Sequence, residues 1–99
     1  MSEFRDTIRK HRRLAILRFL ENCAEYTSNA SVLQDVCNGV GVQSSRSQII
    51  SELVWLQDND FATYRDHGDF VVATATSSGV DIARGQATHP EIQRPRAGG

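Results

Sequence analysis

The residues best equipped for chemistry lie between positions 44 and 51, where the chain reads SSRSQIIS. An arginine can donate two hydrogen bonds to a guanine, and a glutamine can pair with an adenine through two hydrogen bonds. Arg46 and Gln48 therefore carry the groups that read base edges in the major groove of DNA. The exposed serines expected beside them complete the candidate set: Ser44, Ser45, Ser47 and Ser51.

The same residues also suit a purely structural role, because serine and glutamine side chains cap helices and solvate their ends. Glu52 follows on the same predicted face, and its carboxylate would repel phosphates unless it accepts a hydrogen bond from cytosine. For any one residue of this stretch, the DNA-reading and the capping interpretations stand side by side.

A helix is predicted to present these residues. Ser45 and Gln48 are spaced as a capping box, in which each side chain bonds the backbone N–H of the other residue. The apolar residues that follow at helical spacing are Ile49, Leu53 and Leu56. This pattern predicts a recognition helix over 44–58, ending near Asn59, with its polar flank turned outward.

Trp55 falls on the polar side of that helix, where a tryptophan is costly to expose. It is predicted to pack against the hairpin or the first helix. A protein interface is the next interpretation, and base stacking comes last.

Positive charge is concentrated at the ends of the chain. The net charge of −1 and the pI near 6.3 argue against a protein that coats nucleic acid by bulk electrostatics. However, residues 1–20 carry six Lys and Arg against two Asp and Glu, residues 21–83 carry two against nine, and residues 84–99 carry three against one. These counts give net charges of +4, −7 and +2. Only the charges that face a phosphate backbone contribute to binding it.

Two groups of basic residues are predicted to contact the DNA backbone. The group in the first helix consists of Arg9, Lys10, Arg12 and Arg13. The alternative for this group is a solvated helix end, which is the usual role of a charge run. Arg65 and His67, at a predicted hairpin turn, could reach the minor groove, although Asp66 and Asp69 beside them count against this.

The remaining elements are read from periodicity and turn residues. A first helix runs from Ser2 to about Ala24, and its first half is expected to project outward. A second helix is predicted to start at the capping box Ser31–Gln34 and to end at Gly39 or Gly41. The segments FATYR and FVVATAT flank the turn DHGD and predict an antiparallel hairpin, and SSGVDIAR predicts a short helix capped by Thr76 or Ser77.

This order predicts a mainly α domain with a small β-hairpin: a winged helix-turn-helix of three helices, a hairpin wing and a short C-terminal helix. The domain is expected to span residues 1–85. The last segment, 86–99, contains two prolines and no periodicity, and it is predicted to be an extended or disordered tail that stays out of the core.

Two stretches resemble known regulators. LQDVCNGVGVQSSRSQIISELVWLQDNDFATY is similar to the helix-turn-helix of ArsR-type and MarR-type winged-helix regulators, and TATSSGVDIARG is similar to the segment after their wing. More narrowly, RRLAILRFLEN, YTSNASVLQDV, SRSQIISELVWLQDND and GVDIARGQATHPEIQRPR resemble a small family of Mu-like phages and prophages, over residues 12–96. The resemblance implies a winged-helix fold and a regulatory function. The metal-binding cysteine motif of ArsR-type sensors is absent, so metal-responsive regulation is not implied.

Other functional classes find little support in the sequence. There is no Gly-rich phosphate loop, no Gly-x-Ser-x-Gly motif and no cysteine with a convincing histidine partner, so an enzyme is not expected. Cys23, Cys37 and the three histidines are scattered, which predicts neither a metal site nor a disulfide, and no cofactor is expected. The sequence shows no apolar run that would span a membrane and no secretion signal, which predicts a cytoplasmic protein.

The function that these observations favour is a sequence-specific DNA-binding protein of phage, prophage or bacterial origin that regulates transcription, acting on double-stranded DNA as a homodimer. The alternative is a winged-helix module for protein interaction or dimerisation without DNA binding. In that case Phe4, Ile8 and the projecting first helix would pair with a second copy or a protein partner.

Overall fold

The structure, a computed structural model, describes residues 2–96. Over this range the chain forms a mixed α/β domain with four α-helices, one 3-10 turn and a three-stranded antiparallel sheet. The helices are α1 (Ser2–Glu21), α2 (Ala30–Gly39), α3 (Arg46–Asp58) and α4 (Ser77–Ala83), and the strands are β1 (Thr27–Asn29), β2 (Ala62–Asp66) and β3 (Val71–Ala75). The predicted helices and the hairpin of β2 and β3 are present. Within residues 2–96, no helix is both long and apolar enough to cross a membrane.

Helix α1 has two different halves. The buried apolar side chains of its second half are Leu14, Ile16, Leu17 and Leu20. In its first two turns every side chain from residue 3 to residue 7 is exposed, and Phe4 is 71% exposed. The first part of α1 therefore projects from the domain, as its sparse apolar pattern predicted.

A short strand, β1, was not predicted. Thr27–Asn29 pairs antiparallel with β3, so β3 lies in the middle of a sheet of order β1-β3-β2. The hydroxyl groups of Thr27 and Thr74 are 2.8 Å apart across this pairing. Three residues without an alternating apolar pattern give no local signal for a strand, and the pairing is made with a segment almost fifty positions away.

Helix ends follow the predicted signals in part. Ser45 and Gln48 form the predicted capping box of α3, and Thr76 caps α4 through the backbone N–H of Gly79. The predicted box at Ser31 is wrong: the cap of α2 lies two residues earlier, at Asn29, whose side chain accepts a hydrogen bond from the backbone N–H of Val32.

The turn between α2 and α3 is held by several hydrogen bonds. Gly41 has a φ of +85°, a left-handed conformation that suits glycine, and the N–H of Val42 donates to the carbonyl of Cys37 at 2.8 Å. The N–H of Ser44 donates to the side-chain oxygen of Asn38 at 2.8 Å. These contacts fix the direction in which α3 leaves the turn.

Helix α4 lies close to the backbone that enters the hairpin. Its third residue, Gly79, is buried against the carbonyl group of Phe61 and the side chain of Leu17. A side-chain carbon at position 79 would overlap the Phe61 carbonyl. This close approach brings α4 against α1 beneath the sheet.

The segment after α4 packs on the domain, which corrects the expectation that it stays out of the core. Ile92 is only 4% exposed and belongs to the hydrophobic core. The N–H of Gln93 donates to the carbonyl of Lys10 in α1 at 3.1 Å. Residues 86–96 contain no helix or strand, but one buried side chain and several hydrogen bonds hold them in place. The predicted tail also includes residues 97–99, which lie outside the described part of the chain.

Candidate nucleic-acid interface

The first turns of α3 present a polar surface to solvent. Five side chains of the predicted set are exposed here, and we call them the recognition face: Ser45, Arg46, Ser47, Gln48 and Ser51. The guanidinium of Arg46 lies 3.5 Å from the hydroxyl of Ser31 in α2, at the outer limit of a hydrogen bond. Arg46 can therefore leave this contact for another partner at little cost.

Gln48 has a double role in this face. Its side-chain oxygen accepts from the N–H of Ser45 at 2.9 Å, while the Ser45 hydroxyl accepts from the N–H of Gln48 at 3.1 Å. The side-chain oxygen is thus engaged in the cap, and the NH2 group is the part that can bind a ligand. The two-bond pairing with adenine that the sequence suggested would require this cap to open.

Ser44 is not on the recognition face, so its predicted exposure is wrong. The residue is 7% exposed. Its hydroxyl accepts a hydrogen bond from Nε of Arg12 at 2.7 Å and donates one to the carbonyl of Val42 at 2.8 Å. Ser44 closes the turn before α3 instead of contacting a ligand.

Arg12 and Arg13 are also buried, at 3% and 6% exposure, and this corrects their predicted role as phosphate contacts. Both bind the carboxylate of Glu52 in α3, which is itself 4% exposed: Nη1 of Arg12 at 3.3 Å and Nε of Arg13 at 2.8 Å. We call these three residues the buried triad. A buried guanidinium that donates to a buried carboxylate is not accessible to a phosphate group.

Each of the two arginines also donates to a backbone carbonyl. Nη2 of Arg12 donates to Gln43 at 3.0 Å, and Nη1 of Arg13 donates to Glu91 at 2.9 Å. Among the described residues, no buried side-chain nitrogen or oxygen lacks a hydrogen-bond partner. The buried triad therefore connects α1, the turn before α3, α3 itself and the C-terminal segment.

The positions of Glu52 and Arg13 relative to the apolar residues of their helices indicate that both side chains face the core. Glu52 stands three positions after Ile49 and four before Leu56, and Arg13 stands four before Leu17, so both occupy places on the apolar stripes. Charged residues at such places are buried when they find partners of opposite charge. Glu52 was predicted on the outward face because it shares a side of the helix with Gln48 and Ser51, and its burial corrects that prediction.

Trp55 packs against the first helix, as predicted, and also against the C-terminal segment, which was not predicted. The guanidinium carbon of Arg13 lies 3.8 Å from the centre of its ring, a cation–π contact. His89 approaches the ring edge-on, with 5.3 Å between ring centroids, and Phe61 lies on another side at 6.3 Å. Trp55 is therefore a half-buried packing residue.

The other predicted backbone contacts lie at the surface. Arg9 is exposed, and its guanidinium is 4.0 Å from the carboxylate of Asp6. Lys10 is half-buried. Arg65 and His67 are exposed on the hairpin, where the His67 ring stacks on Phe70 with 4.7 Å between centroids. The structure thus leaves these four residues accessible and removes three from the predicted set.

Cys37, which is buried near the turn between α2 and α3, is not a reactive thiolate. Burial raises the pKa of the Cys37 thiol to about 11, although the nearby charge of Arg12 acts in the opposite direction. The thiol is therefore protonated at neutral pH. No group of three or more His, Cys, Asp or Glu side chains within residues 2–96 could hold a metal ion.

Comparison with known proteins finds a relative in a phage. The chain is 36% identical over 91 residues to the uncharacterized protein gp26 of Escherichia phage Mu, and the match covers 92% of this chain and 94% of that protein. No protein-family model and no solved structure matches the chain.

Proposed function

The chain belongs to the family of the phage Mu protein gp26, and we propose that it is a winged helix-turn-helix protein that binds specific DNA sequences and regulates transcription in the cytoplasm of a bacterial or phage-infected cell. The order of helices followed by a hairpin supports this fold. The observation that carries the proposal is the recognition face, a polar and exposed surface on the first turns of a helix whose other side is fixed in the core.

A reading helix must be held rigidly, and α3 is. Ile49, Leu53 and Leu56 are fully buried on its inner side. The buried triad joins α3 to α1, and the capping box orders its first turn. The amino end of a helix also carries a partial positive charge that favours phosphate groups.

The exposed residues divide into three kinds of contact. Arg46 and Gln48 would read base edges, helped by the serines of the recognition face. Arg9 and Lys10 would bind phosphates, and Arg65 and His67 would follow the neighbouring minor groove. The buried triad and Ser44 hold the reading helix in place and make no contact with DNA.

Variants of the recognition face test this function by changes in base preference. Arg46→Ala is expected to lose about 1 to 3 kcal/mol of discrimination at one base pair. Gln48→Glu keeps an acceptor for the capping box but removes the NH2 donor, so a preference for cytosine should replace that for adenine. The measurement is selection of bound duplexes from a random pool with the purified chain, followed by affinities for the selected sequence.

Arg84→Ala is the matched control, because Arg84 is an exposed arginine at the C-terminal cap of α4 and pairs with Glu21. It should leave the selected sequence unchanged. If the wild-type chain enriches no sequence, the proposed function is wrong. If both recognition-face variants enrich the wild-type sequence, Arg46 and Gln48 do not read the bases.

Self-association is the second candidate function, and an apolar groove favours it. A groove of about 440 Å³ runs between α1 and α2, lined by Leu14, Ala15, Phe19, Val36, Val40 and Val42 among others. Val40 is 64% exposed. A homodimer would cover such a surface, and two-fold symmetry would place two recognition faces on successive half-sites.

Val40→Asp is expected to abolish the homodimer, because it places a charge in an apolar interface. Val32→Asp is the control: it changes an exposed valine of α2, the helix that Val40 caps, and this valine does not line the groove. The measurement is the mass in solution across a range of concentrations. A monomeric wild-type chain, or equal dissociation in both variants, would contradict the homodimer.

A further inference from the structure

A groove separates the projecting first part of α1 from the turn before α3 and the first turn of α3. Its volume is about 690 Å³, and we call it the arm groove. One wall is formed by Phe4, Arg5, Ile8 and Arg9 of α1. The opposite wall and the floor are formed by Gly41, Gln43, Gln48 and Arg12. The groove therefore begins at the recognition face, because Gln48 belongs to both.

The charge of the lining is uniformly positive. Among the residues that the structure describes, three arginines and no carboxylate line the groove. Arg5 and Arg9 are exposed, whereas Arg12 lies in the floor as part of the buried triad, which holds two guanidinium groups against one carboxylate. The triad thus leaves a net charge of +1 under the groove. An anion in the arm groove would meet positive charge on its wall and beneath it.

The carboxylate of Asp6, which pairs with Arg9, does not cancel the positive charge of this wall. Asp6 lies 4.0 Å from the guanidinium of Arg9, but both side chains are more than half exposed. Such surface pairs contribute under about 1 kcal/mol and exchange readily with other partners. Arg9 can therefore turn to a phosphate without a large loss.

Spacing favours an extended anion over a single small one. Arg5 and Arg9 stand one helical turn apart, about 6 Å along the axis of α1. The amide groups of Gln43 and Gln48 provide neutral hydrogen-bond donors on the facing wall. Successive phosphates of one strand could each contact one of the two arginines, while the strand continues alongside the recognition face. The apolar side chains of Phe4 and Ile8 would lie against the sugars between the phosphates.

We propose that the arm groove holds one phosphodiester strand of the duplex, with Arg5 and Arg9 as its phosphate ligands. This inference rests on the proposed DNA-binding function and extends its surface to residues outside the recognition face. It replaces Arg12 and Arg13 with a different pair of arginines on the same helix.

The double variant Arg5→Gln, Arg9→Gln tests the strand site. Losing two phosphate contacts should reduce the slope of log affinity against log salt concentration by about 1.8 in magnitude, since each contact contributes about 0.9. The loss should be the same for the selected duplex and for a random duplex, and the selected sequence should not change. Both affinities are measured across a range of salt concentrations with the full chain.

Arg94→Gln, Arg96→Gln is the matched control. It removes the same charge from the C-terminal segment, where both arginines line a different pocket with His11 and Arg18. This control should keep the wild-type salt slope. An unchanged slope in the Arg5/Arg9 variant, or an equal decrease in the control, overturns the strand site while the DNA-binding function stands. Failure of the wild-type chain to bind any duplex overturns both.

A protein ligand in the arm groove would give a different result. An acidic peptide with apolar residues would also suit arginines beside Phe4 and Ile8. In that case the double variant would bind duplex DNA with the wild-type slope, and the strand site would be wrong.

Discussion

Glu52→Gln is expected to lower the free energy of unfolding by about 3 to 5 kcal/mol, because it leaves two buried guanidinium groups without a countercharge. The substitution keeps the size of the side chain, so no cavity contributes to the loss. Arg12 and Arg13 would then lie close together under the surface with like charges. A domain of this size has a total stability of about 5 to 15 kcal/mol, so the variant should be partly or wholly unfolded. Urea unfolding followed by tryptophan fluorescence measures the change.

Glu91→Gln is the control for this prediction. It makes the same chemical change at an exposed residue. Arg13 binds the backbone carbonyl of Glu91 and not its carboxylate, so this bond is kept. Its effect should stay within about 0.5 kcal/mol. A stability loss in Glu52→Gln of less than about 1 kcal/mol would show that the triad is not closed as described.

Gly79→Ala is expected to destabilise the domain by about 3 kcal/mol, at the upper end of overpacking effects. The added methyl group would overlap the carbonyl oxygen of Phe61, which is backbone and cannot move aside as a side chain could. Either α4 or the start of the hairpin would have to shift. Thermal and urea unfolding of the variant give the size of the loss.

The same substitution at Gly39 should have the opposite sign. Gly39 lies in α2, and a methyl group there would meet no atom within 4 Å. Alanine is favoured over glycine in helices by about 0.5 to 1 kcal/mol, so Gly39→Ala should stabilise the domain slightly. Equal effects of the two substitutions would mean that helix propensity, and not the contact with Phe61, decides the result.

Local patterns predicted the elements that depend on local interactions. The predicted bonds between Ser45 and Gln48 are formed, and Thr76, one of the two predicted caps of α4, bonds the nearby Gly79. The outward position of Arg46 follows from the apolar stripe on the other side of α3. In these cases residue type and spacing carry the whole physical argument.

The errors concern residues whose surroundings come from distant parts of the chain. Arg12 and Arg13 bind Glu52 across 40 and 39 positions, and β1 pairs with β3 across a comparable distance. A rule that places charges at the surface fails when a partner of opposite charge arrives from elsewhere. Arg12 and Arg9 both belong to the same basic run, and only the tertiary structure separates the buried one from the exposed one.

The bond from Arg13 to the carbonyl of Glu91 spans 78 positions and joins α1 to the segment after α4. During synthesis, an emerging polypeptide that stops near residue 85 would already contain Trp55 and the triad but would lack the groups that cover them. Trp55 and Arg13 therefore gain these partners only once residues 89–91 have been added to the chain. A truncated product would display an uncovered aromatic surface and an arginine short of one acceptor, which are features that cellular proteases and chaperones select.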